Sequence, residues 1–301
     1  MTIDQQQRPR RSCLYMPGAN ARALEKARGL DADVVIMDLE DAVAPDAKDD
    51  ARKQIASALR TGGYDQSETW VRINALDSIW GERDLEMVID VKPDGVLLPK
   101  VASALDITRV AEQLGSAGCE HPLAIWAMIE TPLALVNLAS IAATAQTTSL
   151  RGFVLGANDL AKDLRLPLSK NRTTLLPLFS NVLVTARAYG LDVIDSVWND
   201  IADGEGFALE CQQGLQYGFD GKSLIHPSQL EAANIIFAPE KEAVERAYRI
   251  RAAFADPANA GKGVIKVDGQ MTELLHLEQA ERLIACAEIL AARRGSRPTS
   301  Q

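Results

Sequence analysis

The chain has 301 residues, with 32 Lys+Arg against 41 Asp+Glu and a formal charge of −9. This length suits one large domain with an appendage, or two ordinary ones. Hydrophobic content of 47% and charged content of 24% exclude wholesale disorder. The acidic balance, with no Lys/Arg stripe, argues against nucleic acid as a partner. No apolar run nears the ~18 residues of a membrane span. Residues 1–11 carry basic groups without a following apolar core and do not read as a signal peptide. Four cysteines, Cys13, Cys119, Cys211 and Cys286, lie far apart without a CxxC, and read as reduced thiols of a cytoplasmic protein.

After a polar start at residues 1–10, short apolar or β-branched runs alternate with helical stretches. The runs are 12–16 (SCLYM), 34–37 (VVIM), 70–73 (WVRI), 95–98 (GVLL), 123–129 (LAIWAMI), 152–155 (GFVL), 191–194 (LDVI) and 221–225 (GKSLI). Their spacing is the rhythm of βα units. Residues 19–30 and 46–60 read as helices. Thr131-Pro132 reads as an N-cap followed by proline, opening one helix over PLALVNLASIAATAQ. Gly190 and Gly218 mark the ends of helices over 174–189 and 205–217. Eight βα units with little alternation in the strands predict an α/β fold, a closed (β/α)8 TIM barrel over residues 1–236. Residues 237–301 break the rhythm with a charged helix over 240–255, a DPANAGKG connector, a strand over 264–267 entering an Asp268-Gly269 turn, and a long helix over 272–293. They predict a C-terminal lid or arm.

In a barrel, chemistry gathers at the C-terminal ends of the strands. These ends carry Pro17-Gly18, Asp38 to Asp41, Arg72 with Asn74, Pro99-Lys100, Glu130, Asn158-Asp159, Asp195 and His226-Pro227. Glu130 and Asp159 leave adjacent apolar strands. Two carboxylates without Cys or His beside them select a hard cation, Mg²⁺ with Mn²⁺ as a replacement. Arg72, in the otherwise apolar WVRIN, must meet an anion: a substrate carboxylate or enolate oxygen, or a structural pair with Asp38 or Asp41. The DLED run offers acceptors for metal-bound water or an orienting partner for Arg72. The amides of Gly156, Ala157 and Asn158 offer a cradle for a substrate carboxylate. Of the histidines, only His226 stands at a strand end; His121 falls in a loop and His276 on the terminal helix. No Gly-x-Ser-x-Gly, Walker loop or Gly-x-Gly-x-x-Gly occurs. Lys100 leaves a Schiff-base lysine open.

The run Arg11-Ser12-x-Leu14-Tyr15-x-Pro17-Gly18 resembles the opening of the HpcH/HpaI aldolase/citrate lyase β-subunit family, which includes malyl-CoA and citramalyl-CoA lyases. DLEDAV at 38–43 with Lys48, Ala51 and Arg52, VRIN at 71–74, Pro99-Lys100, IET at 129–131, GANDL at 156–160 and GFDGKSLIHPSQ at 218–229 match it in order along nearly the whole chain. The resemblance implies a trimeric or hexameric barrel that uses Mg²⁺ to cleave or form a C–C bond in an acyl-CoA thioester. Products are a 2-oxo acid and acetyl- or propionyl-CoA. It implies Glu130 and Asp159 as metal ligands, and Arg72, Glu273 and Asp41 as catalytic groups. Substrate contacts fall to Arg72, Glu130, Gly156, Ala157, Asn158, Lys100 and Glu40. CoA contacts fall to Arg11, Tyr15, Lys48 and His226, with Arg10, Lys26 and Arg52 as further cations for its phosphates. VDGQM at 267–271 resembles the family's lid motif V-D-G-K-M-I-D, with Glu273 standing one methylene longer at the acid/base position. Two alternatives remain: a metal-dependent aldolase of 2-oxo-3-deoxy acids without CoA, and a non-catalytic acyl-CoA-binding barrel.

Overall fold

The structure is a computed structural model that describes residues 8–116 and 123–295. Cys119 and His121 lie outside the described residues, as does most of the polar start. The chain divides into two compact units, Arg10–Phe237 and a second that takes up the chain from Ala238.

The first unit is a closed barrel of eight parallel strands: β1 (Ser12–Pro17), β2 (Val34–Asp38), β3 (Glu68–Arg72), β4 (Gly95–Leu98), β5 (Ala124–Ile129), β6 (Leu150–Leu155), β7 (Asp192–Asp195) and β8 (Gly221–Leu224). Closure runs through Ser12 against Lys222 and Leu14 against Leu224. The helices between strands are α1 (Ala21–Ala27), α2 (Lys48–Thr61), α3 (Gly81–Val91), α4 (Ala104–Ser116), α5 (Pro132–Val136), α6 (Leu138–Ala143), α7 (Ala157–Asp163), α8 (Leu176–Ala188), α9 (Gly204–Tyr217) and α10 (Leu230–Ile236).

Two apolar layers hold this unit together. Outward side chains such as Leu14, Val35, Val71, Val96 and Phe153 pack against the helices. A smaller inner layer fills the barrel with Cys13, Val34, Ile36, Trp70, Leu97, Trp126, Met128, Val154 and Ile194. Each fully buried side chain of this size contributes about 1.5–3 kcal/mol. Within the inner layer the Trp70 and Trp126 rings stack at 4.1 Å, and the Arg10 guanidinium lies 5.0 Å from the Trp126 ring.

Thr131 caps α5 as expected, its hydroxyl accepting from the Ala134 amide, with Pro132 in the first turn. The single helix expected after it breaks at Asn137, whose side-chain amide donates to the Ala102 carbonyl at 2.8 Å. Asparagine's readiness to bond backbone competes with helix continuation there.

The second unit holds α11 (Lys241–Ala255), an antiparallel hairpin of β9 (Val264–Val267) and β10 (Gln270–Glu273), and α12 (Leu274–Gly295). Asp268 and Gly269 turn the hairpin with φ 51° and 81°, the left-handed pair that a two-residue Asp-Gly loop adopts. Thr272 and Glu273, expected to open the helix, extend the hairpin instead, paired with Ile265 and Val264. Ile250, Ile265, Val267, Ala280 and Ile284 form this unit's own core. No described helix is long and apolar enough to cross a membrane.

Candidate active site

Side chains of a strand alternate between faces with period two. Two residues beyond the inner layer, each strand therefore presents its next inward group at the C-terminal mouth. Cys13 leads to Tyr15, Ile36 to Asp38, Trp70 to Arg72, Met128 to Glu130, and Val154 to Gly156. A charged and polar ring thus caps an apolar plug.

Arg72 is the hub of one half of this ring. Its Nε and Nη2 donate to Asp38 Oδ1 and Oδ2 at 2.7 and 2.6 Å, a bidentate fork, and its carbon lies 4.8 Å from the Tyr15 ring. Burial works against the guanidinium charge, but Asp38 outweighs it and the pKa rises well above the usual arginine range. Glu40 Oε2 stands 2.8 Å from Arg72 Nη1 without hydrogen-bond alignment. Burial therefore wins over that attraction, and the Glu40 carboxyl is pushed up to about 7. Asp41 is exposed and 3.8 Å from Nη1.

The second half is built on Glu130. The Lys100 amide donates to its Oε1 at 2.7 Å, while Oε2 is buried and has no hydrogen-bond partner among the described residues. Burial raises the Glu130 pKa, against the pull of Lys100. Lys100 Nζ lies 2.8 Å from Asp159 Oδ2 and 3.5 Å from Glu130 Oε1. Burial opposes the ammonium, but the Asp159 contact outweighs it and the pKa rises. Gly156 makes room for this arrangement: a Cβ there would stand 2.5 Å from Glu130 Oε2.

These residues fit a divalent hard cation. An all-oxygen pair of carboxylates, one with a bare buried oxygen, is the donor set Mg²⁺ takes when water and substrate complete its shell. Among the described residues no group of three or more His, Cys, Asp and Glu gathers.

The other expected residues divide. Ala157 and Asn158 open α7 beside Asp159, but the Gly156 amide is spent on the Ile129 carbonyl at 3.2 Å, so it is not part of an anion cradle. Asn158 exchanges side-chain hydrogen bonds with Asn199. Lys48, expected on CoA, is buried and donates to the Leu39 and Glu40 carbonyls at 2.8 and 3.0 Å, pinning the loop that carries Glu40. Burial lowers its pKa. Tyr15, also expected on CoA, lies inside the barrel under Arg72, its hydroxyl 4.0 Å from Met128 Sδ; burial raises its pKa. His226 is exposed and caps the turn Pro227–Gln229. Arg11 is not at the mouth. It precedes β1, at the opposite end, and grips Asp33 with Nε and Nη2 at 2.8 Å each. Arg10 likewise pairs with Glu68 and Asp192 at strand starts. Glu273 ends β10 in the second unit, where its amide donates to His276 Nδ1 at 2.9 Å.

Asp195, one of the charged groups read at the strand ends, has the wrong parity for the mouth. Ile194 faces the barrel interior, so Asp195 faces α9. There it meets Arg172 at 2.7 Å and Lys222 at 3.0 Å, and Glu210 completes a buried four-charge network. Burial would raise the Asp195 pKa, but Lys222 and Arg172 hold it below the usual range. Asp38, by contrast, was legible as a site residue by the same period-two count.

A family model described as HpcH/HpaI aldolase/citrate lyase matches residues 11–227. The chain is 45% identical over 291 residues to a (3S)-malyl-CoA thioesterase of Cereibacter sphaeroides (strain KD131), spanning 97% of this chain and 99% of that relative. It is 36% identical to the citrate lyase subunit beta of Escherichia coli (strain K12), spanning 95% and 96%. The protein CitE from Mycobacterium tuberculosis, solved in complex with magnesium, acetoacetate and coenzyme A, superposes with a TM-score of 0.72 at 29% identity, covering 93% of this chain and 99% of that one. A barrel whose mouth holds Arg72, Glu130 and Asp159, matched by this model over most of its length, belongs to the HpcH/HpaI aldolase/citrate lyase family.

Proposed function

We propose that the chain is a Mg²⁺-dependent enzyme that hydrolyses the CoA thioester of a short β-hydroxy dicarboxylic acid of the malyl type. The observation that carries this reading is the bare Glu130 oxygen beside Asp159, facing Arg72 and the near-neutral Glu40 carboxyl across one barrel mouth. Its similarity to a (3S)-malyl-CoA thioesterase over 97% of the chain supports the choice of substrate and reaction.

Glu130 and Asp159 would hold the cation, which supplies Lewis acidity and a template for the substrate's hydroxyl and carboxylate oxygens. Arg72, fixed by Asp38 on one edge, turns its Nη1 edge to the oxyanion that develops on the thioester carbonyl. Glu40 takes a proton as water attacks the carbonyl carbon. The C–S bond then breaks, and the proton passes to the departing thiolate. A base titrating near 7 is suited to both transfers. The apolar inner layer below closes the site to water from beneath.

C–C cleavage to a 2-oxo acid and an acyl-CoA is the second reading, favoured by the Glu273 carboxylate at the end of the VDGQM hairpin. The test incubates the Mg²⁺-loaded protein with (3S)-malyl-CoA and quantifies products. Malate plus CoA is the expected outcome. Glyoxylate plus acetyl-CoA, lost in Glu273→Gln, would establish cleavage instead. No turnover of malyl-, citramalyl- or citryl-CoA would overturn both readings. Membership of homo-oligomers, trimeric or hexameric, is proposed on the family resemblance and is read by light scattering.

A further inference from the structure

Lys100, in the turn two residues past β4, has φ 52°, a left-handed conformation that costs a lysine about 1–2 kcal/mol. That backbone turn has two results at once. The Lys100 amide donates to Glu130 Oε1 at 2.7 Å, and its side chain folds back so that Nζ lies 2.8 Å from Asp159 Oδ2 and 3.5 Å from Glu130 Oε1. One residue thus orients the carboxylate, leaving Oε2 bare, and sets a cation between the two groups assigned to the metal.

The geometry points to Lys100 as a resident counter-cation of the metal site, a positioning residue whose ammonium occupies the space between Glu130 and Asp159 and must withdraw when a divalent ion enters. This inference rests on the metal reading of the proposed function. Two carboxylates that follow adjacent strands, Glu130 just past β5 and Asp159 in the first turn of α7, repel, Glu130 being almost wholly buried. A tethered ammonium keeps them charge-balanced and aimed without the metal, and it competes with the metal for the same oxygens. Removing it therefore tightens metal binding and weakens the metal-free fold. A lysine serving only to orient the ligands would do the reverse to affinity. A half-exposed side chain on a flexible stem can make this swing; Arg72, clamped bidentately, cannot.

The test compares wild type with Lys100→Met and Lys100→Arg. Mn²⁺ binding is followed by electron paramagnetic resonance, and thermal unfolding by circular dichroism in EDTA and in saturating Mg²⁺. Methionine keeps the length and loses the charge. We expect Lys100→Met to bind Mn²⁺ about tenfold tighter, to melt lower than wild type in EDTA, and to show the larger stabilisation by Mg²⁺. Lys100→Arg should stay near wild type in affinity. Equal or weaker Mn²⁺ binding by Lys100→Met, with a folded spectrum, overturns the inference. Wild type that binds no Mn²⁺ overturns the metal reading itself, a separate outcome.

Discussion

Arg72 carries the sharpest residue-scale expectation. Lysine would keep the charge but lose the fork that Asp38 grips at 2.7 and 2.6 Å, and with it the fixed edge aimed at substrate. Arg72→Lys should lower kcat on the order of 10²-fold, the range seen for loss of one oxyanion donor. Steady-state kinetics within a few-fold of wild type would make Arg72 a structural pair alone. Glu40 gives a pH expectation. Its carboxyl sits at about 7 in the fold against 4.5 when free. Between those values the native state holds a proton that the unfolded chain has released, so stability falls as pH rises through the window. Glu40→Gln removes that loss, on the order of 3 kcal/mol at full ionisation. Urea unfolding in EDTA should show the variant gaining on wild type from pH 5 to 7.5; a constant gap would refute it. Positions were legible where a charge ended an apolar run, as at Arg72, Glu130 and Asp159, which the structure brings to one barrel mouth. They were not legible at Asp195 and Arg11, because sequence neighbourhood does not tell which face, or which end, a residue takes.

At the scale of elements, all eight strands were legible, since most are short apolar or β-branched runs stopped by glycine, proline or a polar residue. The break at Asn137 was not, because its cause is a tertiary bond to Ala102 thirty-five residues back in sequence. The network under β7, β8 and α9 was equally hidden: Arg172, Asp195, Glu210 and Lys222 come from four separate segments. Lys222 Nζ is wholly buried, 3.0 Å from Asp195 and 2.6 Å from Glu210. Lys222→Met would leave two buried carboxylates to one guanidinium, which costs about 3–5 kcal/mol. Because β8 closes the barrel against β1, the loss should appear as a lower urea midpoint for the whole barrel. An unchanged midpoint would mean the network is neutral to stability.

For the whole molecule, fold and family were readable because the motifs recur in order along most of the chain, while the choice between hydrolysis and cleavage turns on a few groups whose sequence context is shared. A bound cation should register globally. At a hundred times its dissociation constant, Mg²⁺ adds about 2.7 kcal/mol to the native state, raising the melting midpoint by roughly 4 °C for a chain of this size. Glu130→Gln should abolish that rise; if it persists, the cation sits elsewhere.

The plug beneath the site has an optical consequence. Trp70 on β3 and Trp126 on β5 flank β4, so their stack at 4.1 Å and 25° exists only while these three strands are paired. Two indoles that close couple their transitions, and the pair becomes a chromophore distinct from either ring. A paired near-ultraviolet dichroic band, absent in Trp126→Phe, would then report the pairing of β3, β4 and β5 in the native protein without any attached label.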